Sequence, residues 1–180
     1  MWGTALYSTY TYLGVGLTST GFSAAETASV IVFYGCGAIC GTLVGGRLAD
    51  RLGARLTSGI SLAGLCASLF LLRLAVDGGT LVDLGFGFTA AVAQLFFPSQ
   101  QAGLAKDFPA QRAAVLAWNN SALFLGIALG SIVGGQAVAF GGFEADLTVS
   151  ASIAIAGWAI NWAVEPGSAP PQIQTINRTT

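Results

Sequence analysis

Residues Thr27–Gly46 read TASVIVFYGCGAICGTLVGG, an uncharged run of 20 residues between Glu26 and Arg47. The hydrocarbon core of a bilayer is about 30 Å thick and takes about 20 helical residues to cross. Because lipid offers no hydrogen-bond partners, a segment inside it must satisfy its backbone groups internally, as a helix does. The stretch therefore predicts a membrane-spanning helix.

The composition extends this interpretation to the whole chain. Charged residues make up 8% of the 180 residues and hydrophobic residues 54%, whereas soluble domains are about 25% charged. So few charges cannot cover a soluble enzyme, and a net charge of −1 offers no basic patch for nucleic acid. The chain has no histidine, and its three cysteines show no paired spacing. We therefore expect no metal site, no cofactor, no disulfide framework and no catalytic residue.

Charged residues divide the chain into uncharged runs of roughly membrane-spanning length. These runs predict a single all-α membrane domain over residues 1–164, followed by a mobile cytoplasmic tail over 165–180. The six transmembrane helices are predicted near residues 3–19, 27–47, 56–75, 82–101, 113–138 and 147–164. Pro98 predicts a kink in the fourth helix, because proline removes one backbone hydrogen bond.

Basic residues predict the orientation. Two connections, after the second and the fourth helix, hold Arg47, Arg51, Arg55, Lys106 and Arg112, whereas the connections on the other side hold only Arg73. The positive-inside rule then places both termini in the cytoplasm. We expect a multi-pass protein of the plasma (inner) membrane.

The connection after the second helix carries the most specific motif. Residues 46–55 read GRLADRLGAR, with Gly46, Asp50, Arg51, Gly53 and Arg55 at spacings that resemble the signature loop of the major facilitator superfamily. In that family the pattern is Gly-x-x-x-Asp-Arg/Lys-x-Gly followed by two basic residues. Ala54 departs from it, as in the degenerate copies found in the second half of such transporters. The resemblance implies a conformational-gating loop, and the alternative is a solvated basic loop that only sets topology.

Two further stretches resemble the efflux branch of that family. Residues 119–130, with Gly134 and Gly135, resemble the eleventh helix of sugar-efflux and multidrug-efflux members, and residues 10–25 resemble the seventh helix and the loop after it. The resemblance implies the C-terminal half of a transporter: a six-helix bundle with a 3+3 inverted repeat. It also implies alternating-access efflux of a small solute, a sugar or a drug-like molecule, in a membrane antiporter.

Two glycine ladders predict close helix packing. Gly37, Gly41 and Gly45 lie on the second helix, and Gly126, Gly130 and Gly134 on the fifth. Small residues spaced by four allow backbones to approach closely in lipid. By resemblance we expect these six glycines to form the interface between two transporter halves; the alternative is packing within one bundle.

Neutral polar side chains inside the helices are the candidates for a substrate cavity. Amides in hydrocarbon need partners and should face inward, so they either hydrogen-bond a polar substrate or join neighbouring helices. Tyrosines near the start of the first helix either line the same cavity or form an interfacial belt. The candidates are Tyr7, Tyr10, Gln94, Asn119, Asn120 and Gln136.

Carboxylates are predicted only at helix ends and in loops, and this group includes Asp146. If a proton gradient is the coupling ion, Asp83 near the start of the fourth helix is the candidate proton site, although a helix N-terminus also favours a carboxylate there. Trp2 is predicted to lie at the interface or to face lipid.

One half holds one wall of a cavity, so a complete carrier implies a partner: a second six-helix half or a homodimer mate, within membrane lipid. Two alternatives stay open at this point. The chain is a truncated, inactive transporter fragment, or it is a non-transporting membrane scaffold.

Overall fold

The computed structural model describes residues 1–75 and 80–164, and every element in these ranges is helical. The predicted tail, residues 165–180, lies outside the described residues. The α-helices are α1 (Trp2–Ser19), α2 (Ala24–Leu52), α3 (Ala54–Ala75), α4 (Thr80–Gln94), α5 (Phe96–Asp107) and α6 (Arg112–Ala163), with a single 3₁₀ turn at Pro109–Gln111 before α6.

Four segments of the described chain are long and apolar enough to cross a membrane. They are Ala24–Leu52, Ala54–Arg73, Leu81–Asp107 and Pro109–Ala163. The third segment joins α4 and α5, and the fourth, of 55 residues, contains all of α6. The all-α membrane fold predicted from the sequence is therefore confirmed in its class.

Local chemistry sets the ends of α2. At its start Ser23 and Glu26 form a capping box, in which the Ser23 hydroxyl accepts from the Glu26 backbone N–H and the Glu26 carboxylate accepts from the Ser23 N–H. At its end Gly53 has φ of +87°, a conformation that side chains with a Cβ disfavour. The chain can therefore turn directly from α2 into α3.

The break between α4 and α5 follows from Pro98. The proline ring cannot donate to the Gln94 carbonyl four residues earlier and collides with it. Helix α4 ends at Gln94, and α5 begins at Phe96 after the single residue Leu95. The helical hydrogen-bond pattern is therefore interrupted where the sequence predicts a kink.

Helix α6 contains a sharp reversal at two glycines. Gly141 and Gly142 have non-helical backbone angles, and the φ of Gly142 is +72°. Before them Gly130 and Gly134 pack beside Thr4 and Ser8, so this part runs in the same direction as α1. After the two glycines, Phe143 lies against Gly16 near the end of α1, and Gly157 lies against Met1 at its start. The part after the glycines is therefore antiparallel to α1.

The glycine ladders pack against other helices of the same chain. A Cβ built at Gly37 or Gly41 would overlap the carbonyls of Gly87 and Ala91, so α2 packs directly on α4. On α6 a Cβ at Gly130 would lie 2.6 Å from the Thr4 carbonyl oxygen of α1. Gly45 is similarly close to Leu95 and Pro98 at the α4–α5 break, and Gly134 is similarly close to Ser8 of α1.

These contacts correct the predicted role of the ladders. Gly37, Gly41, Gly45, Gly126, Gly130 and Gly134 face helices of the same chain, so the interface predicted for them with a second half is wrong. The spacing of the glycines predicted close helix packing correctly. It did not identify the helix that packs on each ladder, because a GxxxG spacing carries no information on which backbone approaches it.

Substituting Gly41 with Ala should lower the free energy of unfolding by about 1–3 kcal/mol, because the new methyl group overlaps backbone that cannot move aside cheaply. Gly46→Ala is the matched control on the same helix, since nothing lies within 4 Å of its Cβ position. That control should be neutral or stabilising by up to about 1 kcal/mol. Unfolding in detergent measures both, and equal losses in the two variants would contradict the packing.

Candidate functional site

Several chain segments meet around Arg55 at one end of the bundle. Met1, Arg55, Asp107 and Val164 line a single cavity of about 610 Å³. We call this region the Arg55 end. The start of α1, the α2–α3 junction and the ends of α5 and α6 therefore lie together.

Arg55 binds the end of α6. Its Nε donates to the Asn161 carbonyl (3.2 Å), and one terminal nitrogen donates to the carbonyls of Trp162 (2.7 Å) and Val164 (3.0 Å). The guanidinium also lies 5.4 Å from the centre of the Trp162 ring. The last carbonyls of a helix lack partners within it and carry a partial negative charge. Arg55 therefore fastens the α2–α3 junction to the last turn of α6.

The other residues of the predicted gating loop have different surroundings. Asp50 and Arg51 are exposed, and Gly46 is half-buried with open space at its Cβ position. Gly53 forms the turn. Of the five loop residues, only Arg55 has side-chain hydrogen bonds to another helix among the described residues.

Ala54, the position that departs from the resembled pattern, packs closely on α5. A Cβ built at Gly103 of α5 would lie 2.8 Å from the Ala54 Cβ. The two backbones therefore approach closely at this position.

A recess between α1, α5 and α6 is the candidate substrate site. Its volume is about 190 Å³, and we call it the Asn119 recess. Asn119 and Gln100 contribute amides, and the other walls are apolar or aromatic. Its lining includes Trp2, Gly3, Phe96, Phe97, Gln100, Asn119, Leu123 and Gly126.

Trp2 is a recess residue that the sequence reasoning placed wrongly. It is 6% exposed, its Nε1 donates to the Ala93 carbonyl (2.8 Å), and its ring stacks on Phe96 and Phe97 at 5.2 and 6.3 Å between centroids. The prediction of an interfacial or lipid-facing position is therefore wrong. The adjacent aromatics of α5 were the available signal, but pairing them with Trp2 requires the tertiary fold.

The predicted polar residues fall into separate groups. Asn119 lines the recess, and Asn120 accepts a hydrogen bond from Gln101 of α5 at 3.4 Å. Gln94 is half-buried at the end of α4, next to the break, whereas Gln136 is exposed on α6. The structure thus places Asn119 and Asn120 where α6 packs on α5, and Gln94 and Gln136 lie outside the recess lining.

The two predicted tyrosines belong to an aromatic cluster with α2. Tyr7 and Tyr10 pack edge to face at 6.0 Å, and Tyr10 stacks on Tyr34 at 4.8 Å. Tyr10 is 41% exposed, so the cluster reaches the surface of the chain. Tyr34 was not predicted, because it lies within an apolar run that otherwise reads as lipid-facing.

Two carboxylates lie at the opposite end of the bundle, near the α6 reversal. Asp83, the predicted proton site, is half-buried and accepts a hydrogen bond from Ser29 of α2 at 3.1 Å. Asp146, predicted at a helix end, is fully buried and accepts from Ser8 of α1. In the sequence Asp146 follows Phe143 by three residues, and nothing in that spacing indicates that its side chain is buried. Among the described residues, no group of His, Cys, Asp and Glu could hold a metal ion by three or more ligands.

Replacing Arg55 with Ala should lower the free energy of unfolding by about 1–3 kcal/mol and increase hydrogen exchange in the last turn of α6, because three carbonyls lose a charged donor. Arg55→Lys should recover part of the loss, since an ammonium lacks the planar fork. The control is Arg51→Ala, an exposed loop arginine, with an expected change within about 0.5 kcal/mol. Unchanged exchange in Arg55→Ala would contradict the contact.

Comparison with known proteins identifies the family. Residues 2–178 match the family model described as Major Facilitator Superfamily. A relative named as an uncharacterized MFS-type transporter, YceJ of Bacillus subtilis (strain 168), is 24% identical over 135 residues, which are 73% of this chain and 34% of the relative. The chain thus spans about a third of that relative's length. The family match and the apolar helices together indicate a multi-pass integral membrane protein. This chain belongs to the Major Facilitator Superfamily.

Proposed function

We propose that this chain forms one half of a transporter that exports a small solute by alternating access. The Asn119 recess is the observation that carries the proposal, since it places amide groups at the meeting point of α1, α5 and α6 among walls that are otherwise apolar or aromatic. Carriers of this type bind their substrate near the bilayer midplane between two halves. The family match supports transport in general.

The proposed bundle crosses the membrane six times. Helix α6 has 52 residues, which would extend about 78 Å as one straight helix, far more than the bilayer thickness of about 30 Å. Its reversal at Gly141 and Gly142 divides it into two passes. Helix α1 forms the first pass, and α4 with α5 forms one kinked pass.

The two glycine ladders support a 3+3 inverted repeat. In such a repeat the first three passes correspond to the last three. The contact of the second pass with the fourth, through Gly41, then corresponds to the contact of the fifth pass with the first, through Gly130. Both contacts are parallel and both are closed by glycine against backbone, as the repeat requires.

The Arg55 end is the proposed cytoplasmic end, in the plasma (inner) membrane. It contains Met1, Arg55 and Val164, and the distribution of Lys and Arg along the chain favours this orientation. The bonds from Arg55 to the end of α6 would hold the α2–α3 junction and the last pass together as one rigid unit. This unit is the proposed gating element, with Asp50 and Arg51 free to face a second half.

The substrate class follows from the lining of the recess. Amides beside stacked aromatic rings suit a neutral, polar or amphipathic molecule, so a sugar or a drug-like compound is proposed. Ligand sites usually measure about 300–1,000 Å³, whereas the recess is about 190 Å³. The recess therefore represents one wall of the site.

A second half supplies the other wall, either a separate six-helix unit or a second copy of this chain. Because the glycine ladders are used internally, the proposed contact surface is the remaining outer face of α2 and α6, the least buried of the candidate spans. On this face Ile39, Leu43, Leu129 and Ile132 are exposed.

Proteoliposome flux tests the proposal. Across a panel of sugars and amphipathic compounds, Asn119→Ala should reduce flux of the transported compound about 2- to 10-fold, as expected for one lost hydrogen bond. Ser121→Ala is the matched control, because this exposed hydroxyl bonds the Ala117 carbonyl of its own helix. Equal flux in the two variants would contradict the recess. No flux with the chain alone or with its partner would favour an inactive fragment or a scaffold.

Cross-linking tests the partner surface. In a variant with Cys36, Cys40 and Cys66 replaced by Ser, a single cysteine at Leu43 should form a cross-linked species with a partner in native membranes, because this exposed side chain of α2 lies on the proposed surface. A single cysteine at the exposed Leu71 of α3 serves as the lipid-facing control. A product of twice the chain mass identifies a homodimer. Equal cross-linking at both positions, or none at Leu43, would contradict the surface.

A further inference from the structure

Two cysteines lie on one exposed face of α2. Cys36 and Cys40 are both exposed, whereas Cys66 on α3 is half-buried. Helix α2 runs from Ala24 to Leu52, so residues four apart lie one turn apart on the same side of it, with Cβ atoms about 5–6 Å from each other. We call Cys36 and Cys40 the thiol pair.

The spacing of the thiol pair does not suit a disulfide. A disulfide joins Cβ atoms that are about 3.5–4.5 Å apart, which is closer than two helical residues four apart come without distortion. None of the three cysteines, all of which lie in the described residues, is in a disulfide. A bridging atom between the two sulfurs replaces a single bond by two and makes up the difference. The pair is therefore spaced to hold one soft atom, the kind that thiolates bind.

The surroundings of the thiol pair limit what that atom can be. The pair lies inside the uncharged run Thr27–Gly46. Val32, Ile39 and Leu43, each three or four residues from one of the cysteines, are exposed on the same face. A net charge among apolar side chains in a membrane is costly. The bound species must therefore leave no net charge.

Common metal ions do not meet this condition at two thiols. Structural Zn²⁺ takes four ligands, and among the described residues no third His, Cys, Asp or Glu joins the pair. Cu⁺ on two thiolates would leave one negative charge. A trivalent arsenic that carries one organic group has two positions for sulfur, and it is neutral when both are filled.

We propose that the thiol pair binds trivalent organoarsenicals, compounds of the form R–As=O. The arsenic forms one bond to each sulfur, its bonds to oxygen break, and the oxygen leaves as water with the two thiol protons. Nothing is oxidised or reduced, and the reactants and products are uncharged. Gly35, beside Cys36, has open space at its Cβ position, so the organic group is not hindered there. This binding does not depend on transport.

Mass spectrometry of the purified full chain in lipid nanodiscs tests the site, with phenylarsine oxide as the probe. We expect a single adduct that persists in the monothiol 2-mercaptoethanol and is removed by the dithiol 2,3-dimercaptopropanol. Two sulfurs held by one helix act as a chelate, which should strengthen binding about 100-fold or more over a single thiol. An adduct that the monothiol removes overturns the proposal.

Substitutions locate the adduct. Cys36→Ser and Cys40→Ser should each lose the persistent adduct, whereas Cys66→Ser should keep it. The matched spacing control combines Cys40→Ser with Ala38→Cys, which keeps the number of thiols but places two of them two residues apart, where they do not face each other. This control should also lose the adduct. Persistent binding in any variant that breaks the pair, or its loss in Cys66→Ser, overturns the proposal.

A labelling measurement on the wild-type chain needs no substitution. Phenylarsine oxide should block later reaction of Cys36 and Cys40 with N-ethylmaleimide and leave the reactivity of Cys66 unchanged, as peptide mapping would show. Protection of Cys66, or full labelling of the thiol pair, overturns the site. Arsenical binding without solute flux contradicts only the transporter, and flux without arsenical binding contradicts only the site.

Discussion

The close approach of helix backbones at glycine is the constraint on which the rest of this structure depends. In lipid, apolar side chains gain little by leaving solvent, so helices associate through close packing and buried hydrogen bonds. Gly41 against Ala91 joins α2 to α4, and Gly130 against Thr4 joins α6 to α1. The second contact places the first part of α6 beside α1, and the Asn119 recess is lined by residues of both helices.

Two interruptions of helical geometry then shape the bundle. Next to the break at Leu95, Phe96 and Phe97 stack on Trp2, whose indole bonds the Ala93 carbonyl. The reversal at Gly141 and Gly142 returns the chain antiparallel to α1 and buries Asp146. Because the reversed segment ends beside Arg55, the family's loop and the last turn of α6 become one unit.

Sequence reasoning succeeded where the signal was local. Pro98 predicted the break in the fourth helix, since a missing N–H acts within one turn. The spacing of Gly46, Asp50, Arg51, Gly53 and Arg55 indicated the family. Sequence reasoning failed where the position of a residue depends on a contact with another helix. Trp2 was expected at the membrane interface, Asp146 at a helix end, and the glycine ladders at the surface between two halves. Asn119 and Gln136 have similar amides on one helix, yet only Asn119 lines the recess.

The sequence by itself determined that this protein is an all-helical membrane protein with its basic residues gathered in two connections. Low charge and long apolar runs leave no other solution, because a backbone in lipid must satisfy its own hydrogen bonds. Only the tertiary structure decided which helices pair, which amide lines a recess and which carboxylate is buried. The physical reason is that hydrophobicity around a lipid-embedded helix is nearly uniform, so the pattern along the chain does not say which face meets protein and which meets lipid.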